Sequence, residues 1–118
     1  STPMVALSRN VSNKHAMEML LTGDMVSATR AEQIGLINRV VEAPKLTEVT
    51  MGIAATIASK STMTVATGKT AFYEQQNMKL NSAYAYTAEI MVDNMLKLDA
   101  KEGISAFIEK RHPKWQDR

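Results

Sequence analysis

Apolar residues recur along this chain at helical spacing, with dense punctuation between the runs. From His15 to Leu21 the pattern is helical, with Ala16, Met17, Met19, Leu20 and Leu21 as its apolar positions. Ser12 precedes that run as an N-cap, and Gly23 follows it as a left-handed stop. Ser27 caps the next pattern, Ala28 to Ile34, with Glu32 as support near its start, and Gly35 closes it. The stretch "LINRVV", Leu36 to Val41, is rich in β-branched residues and predicts a short strand ended by Pro44. Residues 1–11 show no clear period.

Three longer helical patterns follow. Leu46, Val49, Ile53 and Ile57 recur at spacings of three and four, and Ala54 and Ala58 widen that stripe. Ser61 or Thr62 opens the second pattern, whose apolar face is weak because Lys69 and Gln76 share it with Val65 and Phe72. Gly68 lies inside it, at a cost of about 1 kcal/mol against alanine. The third runs from Leu80 to Leu98 with a continuous apolar face through Ala83, Tyr84, Thr87, Met91 and Met95. Asp99 then reads as the cap of a final helix, with Glu102 completing a capping box and Ile104, Phe107 and Ile108 facing inward. The pattern predicts a mainly α chain of about six helices and one lone strand. A single strand cannot form a sheet by itself, which implies neighbours outside this stretch.

Composition narrows the picture further. The 118 residues are enough for one ordinary domain, and 45 % of them are apolar. Nine methionines and few aromatics give an adaptable rather than sharply specified core. No cysteine is present, so disulfides and thiolate chemistry are excluded, which fits an intracellular protein. A formal charge of +2 gives no argument for nucleic acid. No apolar run approaches the roughly 18 residues of a membrane span, and nothing has the pattern of a signal peptide. Ser1 rather than Met stands first, and the expectation is a chain that starts after processing or inside a longer protein.

A self-contained active site is hard to find. His15 and His112 are far apart and lack metal-ligand spacing, so both read as surface or capping residues. No Gly-rich phosphate loop or nucleophile elbow occurs. Glu18, Glu32, Glu89, Asp93, Asp99 and Glu102 each have an ordinary role on a solvated helix face or at a cap. Ala31, Gly35 and Val41 have helix-turn-helix spacing, but a second helix would run through a β-branched stretch cut by Pro44. The C-terminal "EKRHPKWQDR" is basic: it reads as a solvated helix end, or as an anion site with Trp115 as a flat apolar surface beside it.

Two stretches in order, "AMEMLLTGDMVSATRAEQIGLINRVV" and "DAKEGISAFIEKRHPKW", closely resemble the enoyl-CoA hydratase/isomerase (crotonase) superfamily, and the resemblance covers essentially the whole chain. Within it, "STPMVALSR" and "GKTAFYEQ" are most similar to the enoyl-CoA hydratase domain-containing type 3 subgroup. The resemblance implies the C-terminal part of a crotonase-like fold, whose upstream ββα spiral is absent here. Residues 1–44 would then be the end of the spiral core, and 45–118 a helical domain used in trimer or hexamer assembly. It implies a parent that processes an acyl-CoA thioester, most often hydrating a 2-enoyl-CoA in fatty acid metabolism. In that chemistry two backbone amides stabilise the thioester enolate while carboxylates move protons. Those groups would lie upstream, so no catalytic residue is assigned and this chain alone is expected to be inactive. No cofactor or metal is implied beyond the coenzyme A of the substrate, and no nucleic acid or membrane partner. The implied compartment is bacterial cytoplasm or mitochondrion. Lys110, in "FIEKR", aligns with a lysine that in several relatives contacts the CoA phosphates of a neighbouring subunit, a task suited to a flexible ammonium. Met91 aligns where some relatives carry an aromatic near the adenine, and a methionine there packs but does not stack. The alternative reading is a non-catalytic structural or assembly module of a degenerate homologue.

Overall fold

A computed structural model describes residues 2–117. Among them it is all helical: α1 Pro3–Asn10, α2 Asn13–Thr22, α3 Ala28–Gln33, a 3-10 turn Ala43–Lys45, α4 Leu46–Ala58, α5 Thr62–Gln75, α6 Leu80–Met95 and α7 Leu98–Glu109. The chain divides into two compact units, 1–49 and 50–118.

In the first unit α1 packs on α2. The aperiodic start is in fact the helix α1, which has proline at its first helical position, where the missing N–H costs nothing. Ser27 accepts from Arg30 N–H at 3.2 Å and so caps α3. Glu32 lies in the last turn of α3 rather than near its start, where its carboxylate holds Val40 N–H at 3.0 Å.

The strand expected over 36–41 does not form. The N–H groups of Leu36 and Ile37 both turn back to Ala31 O, at 2.8 and 3.3 Å. With Val40 N–H on Glu32, three of the six N–H groups of this stretch bond locally, and no other strand is present among the described residues. β-branched composition made the segment compatible with a sheet, but a ladder needs a second strand.

In the second unit α5 packs on α6, and α6 on α7. Ser61 caps α5, accepting from Thr64 N–H at 3.3 Å. Thr64 Oγ1 donates to Asn94 Oδ1 at 3.2 Å, and the Tyr86 hydroxyl donates to the Glu74 carboxylate, so polar bonds tie α5 to α6 at two levels. The third long pattern breaks earlier than expected, at Met95, and Lys97 rather than Asp99 is the N-cap of α7. The capping box therefore does not exist. Asp99 and Glu102 lie within α7 and grip a different partner.

Candidate functional site

After α7 the chain reverses, and residues 111–117 run back without regular structure as a strap. Asp99, Glu102 and Gly103 stand three and four residues apart on α7 and so share a face, which the strap covers. Asp99 is 2 % exposed, and its two carboxylate oxygens accept Gln116 N–H at 2.7 Å and Asp117 N–H at 3.0 Å. The Ser61 hydroxyl is the largest influence holding this carboxyl below its usual range, and the strap amides act the same way against the opposing effect of burial.

Glu102 receives a two-pronged contact from Arg111, Nη1 to Oε1 at 2.6 Å and Nη2 to Oε2 at 3.0 Å. Lys114 N–H adds a third bond at 2.7 Å. The Arg111 guanidinium and the Lys114 amide together lower the Glu102 carboxyl from 4.5 to about 2. Arg111 also meets Glu109, and the two carboxylates raise its already high value. Trp115 closes the strap: its indole N–H donates to Ser59 O at 2.7 Å. A Cβ at position 103 would stand 3.4 Å from the Trp115 ring, an ordinary van der Waals contact, so the indole lies against this part of α7. The basic terminus is thus neither helical nor simply solvated.

Lys110 forms the turn between α7 and the strap. Its backbone is left-handed, φ 53° and ψ 41°, with Arg111 N–H reaching back to Ala106 O at 3.0 Å. This is a helix stop in which glycine is the usual occupant. The same chain uses glycine in that role twice, Gly23 after α2 at φ 67° and Gly35 after α3 at φ 79°. A lysine in that backbone well costs roughly 1–2 kcal/mol relative to a right-handed one. Its side chain is exposed.

Met91 lies on α6, 61 % exposed, at a cleft it shares with Thr64, Thr67, Gly68 and Thr87. Lys110 is not part of that cleft. The two residues singled out from sequence therefore sit on different elements and do not line one cleft. Sequence reasoning did not pick out Phe107, which is 85 % exposed and three residues before Lys110. The helical pattern turns Ile104, Phe107 and Ile108 inward, whereas all three are exposed. Phe107, Ile104, Ala100, Met95, Val65 and Trp115 border an open apolar cleft of about 510 Å³ between α5, α6, α7 and the strap.

In the first unit, Arg30 Nη2 lies 3.3 Å from His15 Nε2. A guanidinium only donates, so Nε2 accepts and the proton sits on Nδ1, which donates to Ser12 Oγ at 3.1 Å. His15 thus bridges α2 and α3. Among the described residues, no group of three or more histidine, aspartate or glutamate side chains could share a metal ion. None of the described helices is long and apolar enough to cross a membrane.

Residues 2–118 match the family model described as enoyl-CoA hydratase/isomerase. The chain is 49 % identical over 115 residues to the human protein named enoyl-CoA hydratase domain-containing protein 3, mitochondrial, covering 98 % of this chain and 38 % of that relative. A crystal structure of that human protein superposes with a TM-score of 0.93 at 49 % identity, covering 98 % of this chain and 46 % of the other. An enoyl-CoA hydratase structure from Mycobacterium smegmatis gives 0.93 at 48 % identity, over 98 % and 45 % of the two chains. This chain thus spans less than half the length of each of these relatives.

Proposed function

The chain belongs to the enoyl-CoA hydratase/isomerase family, and from that premise we propose that it is the C-terminal portion of a protein that processes an acyl-CoA thioester, most plainly by hydrating a 2-enoyl-CoA. The share of each relative that it covers supports the reading of a portion. In this proposal the catalytic carboxylates and oxyanion amides come from the remaining part. The chain described here supplies helical packing, oligomer contacts and one edge of the CoA site. An intracellular compartment accords with the mitochondrial names of relatives such as the human one.

The single observation that carries the CoA edge is the left-handed lysine. A lysine held in a backbone well that glycine enters without steric cost points to a use for its side chain. An exposed ammonium is a point charge for phosphate, and Phe107, exposed nearby, offers a flat apolar surface to the rest of a nucleotide. Met91 contributes packing at a separate edge in the same reading.

The test is steady-state kinetics with crotonyl-CoA in the protein that contains this chain and its catalytic part. Lys110→Ala should raise KM with little change in kcat, because a contact to a remote phosphate is made equally in ground and transition states. Equal KM values at low salt would remove Lys110 from the site. Absence of turnover by the unaltered protein, with CoA still bound, would favour the non-catalytic alternative.

A further inference from the structure

We infer that Glu102 is a positioning residue for Lys110: by holding the Arg111 side chain and the Lys114 amide on one carboxylate, it fixes the chain on the far side of the left-handed turn. The inference rests on the reading of Lys110 as a phosphate contact and names what makes that contact available.

The turn is held from two sides. On the helix side, Lys110 N–H and Arg111 N–H reach back to Phe107 O and Ala106 O, at 3.3 and 3.0 Å. These bonds stop the helix and close the left-handed turn, but they do not hold the chain beyond Arg111. On the strap side the nearest fixed points are Arg111 and Lys114, both on Glu102. The next are Trp115 on Ser59 O and the Asp99 contacts to Gln116 and Asp117. Residues 110–114 therefore form a short arch whose inner support is one carboxylate. Glu109 cannot replace it. It meets Arg111 through Nε alone, and its side chain is 57 % exposed against 18 % for Glu102. Without Glu102 the outer anchors still hold the strap on the unit, while the turn at 110 keeps only its helix-side bonds and loses its support on the strap side. A mobile ammonium loses more conformational freedom on meeting a phosphate, so the ligand binds less tightly.

The experiment is calorimetric titration of coenzyme A into the protein that contains this chain and its catalytic part. The variants are Lys110→Ala, Glu102→Gln and the double variant, with thermal melts of each. Lys110→Ala should weaken CoA by about tenfold, the loss of one charge-assisted contact. Glu102→Gln should weaken it several-fold, and in the Lys110→Ala background it should add nothing, because it acts through Lys110. Arg111→Gln breaks the same contact from the other partner and should reproduce the effect, which keeps the test available if Glu102→Gln does not fold. Glu109→Gln should leave CoA affinity unchanged. Additive losses would overturn the inference and make Glu102 a stabilising residue only. A silent Glu102→Gln beside an effective Lys110→Ala overturns the inference and spares the reading of Lys110. A silent Lys110→Ala overturns both.

Discussion

At the scale of single residues, the proposed CoA contact would set stability and binding against each other at position 110. Glycine would relieve the left-handed strain but adds backbone freedom to the unfolded chain, worth about 0.5–1 kcal/mol. Against a strain of roughly 1–2 kcal/mol, the net gain for Lys110→Gly should be about 0.5–1 kcal/mol, read as a higher Tm of the protein that contains this chain and its catalytic part. The same variant should lose CoA affinity. A residue serving only as a helix stop would gain stability and keep affinity, so paired melts and titrations separate the two. Glu102 carries the pH dependence. Its folded value, about 2, lies below the ordinary 4.5, so the unfolded chain binds the proton more readily. Its contribution to stability is then fully present above about 4.5 and is lost as pH falls toward about 2. Melts of the unaltered protein and Glu102→Gln should therefore differ at pH 6 and converge at low pH. The gap should also narrow with salt, since Arg111 is 37 % exposed.

At the scale of elements, what was legible in the sequence was what depends on neighbours in sequence. Ser27 was readable as a cap, Ser61 as one of two candidate starts, and Gly23 and Gly35 as stops, because capping is decided within four residues. The helical spacing over 46–58 gave α4, while the spacing over 80–98 gave the start of α6 and ran three residues past its end. What failed depends on distant partners. The 36–41 stretch has strand composition, but Ala31 and Glu32 take three of its donors. Asp99 and Glu102 have the spacing of a capping box, yet their ligands come from residues 111–117, well beyond any local pattern. The candidate site was therefore legible only as a basic terminus with one aligned lysine; the grip beneath it was not. That grip has a direct readout, because Trp115 is the only tryptophan in the sequence. Asp99→Ala leaves the Gln116 and Asp117 amides without their acceptor and should release the strap. Trp115 emission should shift to longer wavelength and become more accessible to acrylamide, with α-helical circular dichroism largely kept. An unshifted emission would mean that the indole bond to Ser59 and the contact at Gly103 hold the strap unaided.

At the scale of the whole molecule, the described residues bury very little. The buried apolar side chains are Val11 and the alanines Ala16, Ala31, Ala71, Ala83 and Ala106, and the largest fully buried side chain is an aspartate. Leu21, Leu80, Leu96, Phe107 and Ile108 are each at least 71 % exposed. The accessible surface is 9685 Å² for a mass of 13.0 kDa. By the area–mass relation of folded monomers, even two separate compact units of these sizes would expose only about 7,600 Å² in total. The excess, with large apolar side chains on α4, α6 and α7, exceeds what isolated soluble units usually present and marks surfaces that need cover. In the proposed function that cover comes from the catalytic part and from neighbouring copies. The chain by itself should therefore not persist as a well-behaved monomer. Light scattering at micromolar concentration should show self-association that deepens with concentration, and melting should be broad, because alanine-lined cores supply little cooperative burial. Adding the catalytic part should sharpen the melt and narrow the mass distribution. A monodisperse monomer with a single sharp transition would show that these helices are sufficient for one another, and that the exposed leucines and phenylalanine are ordinary surface.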